Sequence, residues 1–154
     1  MQLSDLIAPD AVLPDVRGRS KKQFLQTLAG EAARIASLDA RTVFETLQTR
    51  ERLGSTGIGN GVAIPHGKMT GTDDITVTVF RLERAIEFDA MDDEPADLFF
   101  VLLAPEGSGA DHLKALARIA RVMREPHMLD DLRAAADARA IRRLLTEQRQ
   151  ANAA

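Results

Sequence analysis

Read as a string of apolar and polar positions, the chain changes period twice. Phe24, Leu25, Leu28, Ala32 and Ile35 recur at the spacing of a helix face, and Ser20 with Gln23 has the spacing of a capping box, which predicts a helix over about 20–37. Asp39 is a candidate N-cap for a second helix, whose apolar face carries Val43, Phe44 and Leu47. From residue 62 the period falls to two. Val62 and Ile64 before Pro65 read as a short strand, because proline suits a strand end. Ile75, Val77 and Val79 alternate with Thr76, Thr78 and Phe80 as a clear strand, and 85–88 reads as another short one. The unbroken apolar run Leu98 to Leu103 is the mark of a strand covered on both faces.

Helical spacing then returns over 111–124, 126–135 and 137–148. In the first of these, Asp111 is the expected N-cap. Lys114, Arg118, Arg121 and Arg124 form a basic stripe opposite Leu113, Leu116, Ala117, Ala120 and Met123. Helices bracketing strands predict a layered α/β domain. The length of 154 residues fits one such domain, over 1–148, with a frayed tail at 149–154.

Neither period holds over 53–61, and the run Leu53 to Lys68, LGSTGIGNGVAIPHGK, holds Gly54, Gly57, Gly59, Gly61 and Gly67 of the chain's 10 glycines. Glycines this dense let successive backbone N–H groups converge on one point, a concavity suited to phosphate or another oxyanion. Nucleotide motifs do not fit. Gly67-Lys68 is followed by Met69 rather than Ser or Thr, and the evenly spaced Gly57, Gly59 and Gly61 follow a helix rather than a strand.

Composition narrows the chemistry further. With no cysteine, there is no disulfide, thiol nucleophile or zinc–thiolate site. The 3 histidines lie too far apart for metal-ligand spacing, so neither a metal nor another cofactor is expected. The net charge is −3 without blocks of like sign, which argues against a nucleic-acid partner. No apolar run approaches membrane-spanning length and the N-terminus lacks a signal-peptide pattern, so the expectation is a cytoplasmic protein without membrane insertion. Six Phe without Trp or Tyr argue against a pocket stacking free sugar.

His66 is then the residue to explain. An imidazole near its ordinary pKa keeps a free nucleophilic nitrogen at neutral pH, and here it stands between Pro65 and Gly67. Two readings of the run remain open: a phosphoryl acceptor, or a non-catalytic anion-binding module in which no covalent step occurs.

Ser55 to Lys68, STGIGNGVAIPHGK, resembles the phosphorylation site of the mannitol/fructose-type IIA proteins of the phosphoenolpyruvate-dependent phosphotransferase system, most of all the nitrogen-regulatory branch. Thr49-Arg50-Glu51, Phe88-Asp89-Ala90 and Asp111-His112-Leu113 extend the resemblance over most of the chain. It implies a mixed β-sheet of about four or five strands with helices on both faces. It implies that His66 accepts a phosphoryl group from an HPr-like phosphocarrier, that Arg50 balances phosphate charge and that His112 stabilises the bound phosphate. Ser55, Thr56, Gly57, Gly59, Asn60 and Gly61 would form the phosphate cradle. The regulatory branch further implies targets such as potassium-transport systems or sensor kinases. A sugar-specific IIA passing phosphate to a IIB domain is the alternative.

Overall fold

The computed structural model describes residues 2–153, with side chains as far as Thr146. In chain order the elements are α1 (Leu3–Leu6), β1 (Val12–Val16), α2 (Lys21–Ala36), α3 (Ala40–Arg52), β2 (Gly57–Gly59), β3 (Val62–Ala63), β4 (His66–Met69), β5 (Thr76–Ile86), β6 (Ala96–Pro105), a 3₁₀ turn (Glu106–Ser108), α4 (Ala110–Met123), α5 (Met128–Ala134) and α6 (Ala138–Ala153). The tail expected at 149–154 lies outside the residues whose side chains are described.

The two N-terminal helices start where their caps predict. Ser20 Oγ accepts the Gln23 N–H at 3.2 Å, while the Gln23 side chain reaches back one residue beyond the cap, to the Arg19 N–H. Asp39 accepts the N–H and the hydroxyl of Thr42 at 3.0 and 2.8 Å, closing the first turn of α3.

Six strands among the described residues form one mixed sheet in the order β1-β5-β6-β3-β2, with β4 also paired to β6. β1 runs parallel to β5, β5 antiparallel to β6, and both β3 and β4 run parallel to β6. Thus β3 and β4 lie end to end along one edge of β6, interrupted at Ile64-Pro65. Leu98, Phe100 and Leu102 of β6 pack into a core shared with α1, α4, α5 and α6. Phe99, Val101 and Leu103, on the other face, pack against α2 and α3. These six side chains are nearly inaccessible, and burying each contributes about 1.5–3 kcal/mol.

The sheet is therefore larger than the four or five strands expected. Three strands were not legible as strands. β1 contains Pro14 and Asp15, the latter at φ 60°; β2 is Gly-Ile-Gly; β4 is His-Gly-Lys-Met. Each has low strand propensity and is held by its neighbour's ladder. The separate strand expected at 85–88 is instead the continuation of β5 to Ile86.

Candidate functional site

The glycine-rich run is a structured segment rather than a single loop. Gly57 pairs with Ala63 and Gly59 with Val62, which leaves Asn60-Gly61 as a two-residue hairpin turn. Asn60 at φ 58° and Gly61 at φ 80° both take the positive φ that a type I′ turn demands. The Asn-Gly dipeptide flanked by apolar residues was the signal for this hairpin. Asp92 accepts the Asn60 N–H at 2.9 Å, and Arg133, paired with Asp97, donates to the Asn60 carbonyl at 2.6 Å.

This arrangement corrects the picture of one converging cradle. The Thr56 N–H is taken by the Glu51 carboxylate, the Gly57 N–H by Ser55 Oγ and the Asn60 N–H by Asp92. Asp97 and Leu98, at the start of β6, both donate to the Gly61 carbonyl, whereas His66 pairs with Leu102. At ~3.3 Å per residue, the Asn60-Gly61 tip therefore lies roughly 15 Å from the histidine. Gly59, Asn60 and Gly61 build the hairpin end. Ser55 and Thr56 stand at the His66 end, where the Thr56 carbonyl accepts the Ile64 N–H at 3.0 Å.

His66 is the first residue of β4, directly after Pro65. Its Nδ1 lies 2.7 Å from the Ile64 carbonyl oxygen. A carbonyl only accepts, so Nδ1 carries the proton and Nε2 keeps its lone pair. Burial pushes the His66 pKa below its ordinary value. The Ile64 bond and the Glu51 charge oppose that shift, and the Arg50 charge adds to it. The ring is thus neutral at pH 7 with one nitrogen free for attack.

His112 approaches from α4, its ring centroid 5.5 Å from that of His66 and its plane tilted by 48°. The N-cap of α4 is Gly109 rather than the expected Asp111, and no side chain caps it. His112 is therefore the third residue of the helix, where backbone N–H groups lack intrahelical partners and the dipole favours an anion. The buried face of α4 is also rotated from the expected one. Ala115, Ile119 and Val122 point inward with His112, while Leu113 is 64 % exposed. That rotation turns the imidazole towards the sheet. His112 is 9 % exposed, and among the described residues its buried Nε2 has no hydrogen-bond partner. Burial, then the nearby His66 and Lys68, lower its pKa.

Arg50 lies in the last turn of α3, and its Nη1 donates to the Gly54 carbonyl at 2.9 Å. Arg52, two residues on, faces a groove of about 390 Å³ lined by Lys21, Lys22 and Gln48. Gly67 lets α3 come this close: a Cβ there would collide with the Thr46 methyl. Sequence reasoning missed Glu51 and Lys68. Glu51 follows Val43 and Leu47 at four-residue steps, so an acid on a buried stripe was the available signal. Lys68 offered none beyond its charge.

Two neutral imidazoles, one with a free nitrogen and one aimed from a helix N-terminus, beside an arginine, form a surface site suited to holding a tetrahedral oxyanion. The class is a small α/β protein with a histidine pair where the first residue of β4 meets the N-terminus of α4. The chain belongs to the family described as phosphoenolpyruvate-dependent sugar phosphotransferase system, EIIA 2, whose model matches residues 5–148. It is 54 % identical over 141 residues to a nitrogen regulatory protein of Bradyrhizobium diazoefficiens, covering 92 % of each chain. Its identity to the nitrogen regulatory protein of Pseudomonas aeruginosa is 40 % over 148 residues, 96 % of each. The crystal structure of nitrogen regulatory protein IIA-Ntr from Neisseria meningitidis superposes with a TM-score of 0.87 at 34 % identity, covering 92 % of this chain and 97 % of that one. Within the family the chain is most similar to the nitrogen-regulatory branch. Among the described residues, no helix is long and apolar enough to cross a membrane.

Proposed function

We propose that this chain is a cytoplasmic phosphohistidine carrier. His66 Nε2 accepts a phosphoryl group from a phosphorylated HPr-like protein, and the phosphorylation state of His66 is the signal read by nitrogen- or potassium-linked targets. The observation that carries this reading is the 2.7 Å contact of His66 Nδ1 with the Ile64 carbonyl, because it commits the proton to Nδ1 and the lone pair to Nε2. In the transfer, that lone pair forms the new N–P bond. The donor's P–N bond breaks and its electron pair returns to the donor imidazole. No base is required, so the protein supplies alignment and charge.

His112, with its otherwise unpartnered Nε2, donates to a phosphoryl oxygen, and the first N–H groups of α4 add a positive field. Arg50 trades the Gly54 carbonyl for phosphoryl oxygens, a charge-assisted bond in place of a neutral one. The high identity to nitrogen regulatory proteins favours the regulatory role over delivery to a sugar-specific IIB domain.

The test is intact-protein mass after incubation with phosphoenolpyruvate, enzyme I and an HPr-type donor, with His66→Ala alongside. One added phosphoryl group, labile in acid and missing from the variant, is the expected result. No mass change with several competent donors would leave an anion-binding module as the reading.

A further inference from the structure

We propose that Glu51 is a positioning residue for the phosphoryl acceptor: through Thr56 and Ile64 its buried carboxylate fixes the carbonyl that holds the His66 ring, and its charge offsets the positive charge that ring gains during transfer. The proposal rests on the reading of His66 as the acceptor.

Glu51 is a buried carboxylate, 7 % exposed, at the end of α3. Taking a carboxylate out of water is costly unless every oxygen is occupied, and here both are. Thr56 donates its N–H at 3.1 and 3.0 Å and its hydroxyl at 2.6 Å, and Lys21 Nζ lies 3.0 Å away. The chain of contacts then runs towards the site. The Thr56 carbonyl accepts the Ile64 N–H at 3.0 Å, and the Ile64 carbonyl accepts the proton on His66 Nδ1 at 2.7 Å. Each link sets the position of the next acceptor, so the orientation of the imidazole is referred back to one carboxylate.

Closing a loop needs an acceptor, but not a charge; an uncharged side chain would cap Thr56 at a lower desolvation cost. The charge has a use at His66. When the Nε2 lone pair moves to phosphorus, Nδ1 keeps its proton and the ring becomes cationic. A fixed negative charge then interacts more strongly with the ring in the transition state than in the neutral ground state, which is the condition for accelerating the step. The charged and titratable groups around the ring are Arg50 and Glu51 from α3 and His112 from α4, with Lys68 next to His112. Lys21 from α2 balances Glu51 only in part, because it also pairs with Asp89 at 3.1 Å and sits over the Phe88 ring.

The experiment compares wild type, Glu51→Gln and Lys21→Met by NMR titration of His66 and by single-turnover phosphoryl acceptance at varied donor concentration. Glu51→Gln keeps an acceptor for Thr56 and removes the charge. It is expected to lower the His66 pKa below that of wild type and slow acceptance about tenfold, with the half-saturating donor concentration unchanged. Lys21→Met, which frees the carboxylate from its counter-ion, is expected to move the His66 pKa upward. A folded Glu51→Gln with wild-type titration and rate overturns the proposal, as do shifts of the same sign in both variants, which would mark a packing effect. Should Glu51→Gln not fold, the Lys21→Met titration decides: an upward shift supports the proposal and no shift overturns it. If wild type takes no phosphoryl group, the acceptor reading fails by itself. The titrations then still report whether Glu51 sets the ring's charge.

Discussion

His66 and His112 meet with ring centroids 5.5 Å apart although they are far apart in the chain, one ring opening a strand and the other sitting in the first turn of a helix. Both rings are held neutral by burial, and each has a nitrogen left for an incoming group.

Removing His112 should separate function from stability. A buried nitrogen without a partner costs about 1–3 kcal/mol, so His112→Leu should fold at least as stably as wild type in urea titrations. The same variant should accept phosphate from the donor about 100-fold more slowly, since it loses a donor aimed at the phosphoryl oxygens. Unfolding of His112→Leu at lower urea than wild type would show that the imidazole is a packing element.

The pH dependence has a definite sign. Both histidines have folded pKa values below the ordinary 6.5, so the unfolded chain binds protons more readily. Stability from these rings is complete above pH 6.5 and falls as pH drops through that value towards the folded pKa values. Denaturant midpoints should therefore decline between pH 7 and pH 5. The double variant His66→Ala/His112→Ala should decline less over the same range. Acceptance by His66 should stay level from pH 8 to 6.5, where an unperturbed imidazole would already be half protonated.

Gly67→Ala should act through α3. The new methyl meets Thr46, one helical turn before Arg50, and moves that turn away from β4. Acceptance should fall about tenfold or more, and Thr46→Ser in the same chain should restore part of it by removing the methyl that collides. Equal loss in the single and double variants would place the defect elsewhere.

The hairpin tip should behave in the opposite way. Gly61→Ala forces a side chain into φ 80° beside Arg133, and Arg133→Ala removes the clamp on the Asn60 carbonyl. Each should cost about 1–2 kcal/mol in denaturant unfolding. Neither should change the rate of acceptance more than twofold, because the tip lies at the far end of β3. A large loss of rate without loss of stability would return Gly61 to the phosphate site.

The helices that begin at Ser20 and Asp39 were legible because their caps are local, a side chain three residues from the N–H it accepts. β6 was legible because both of its faces are covered and its apolar run admits no other reading. Gly57–Gly59 and His66–Met69 were not legible as strands because they owe that conformation to β3 and β6, partners that local pattern does not reveal. His112 was named from resemblance alone. What makes it face His66 is the rotation of α4 that buries Ala115, Ile119 and Val122 and exposes Leu113, a choice made by packing.

The pairing of β4 with β6 turns the site into a matter of odd and even. His66 is level with Leu102 and shares its face, towards α4; Gly67 is level with Leu103 and faces α3. A slip of one residue in this ladder would present a glycine to His112 and drive an imidazole into Thr46. Insertions of any length at the Asn60-Gly61 tip leave that count untouched, whereas a single residue added between Ile64 and Gly67 inverts it. Length variation among proteins of this family should therefore collect at the tip of the hairpin and be missing from the four positions that run from Ile64 to Gly67.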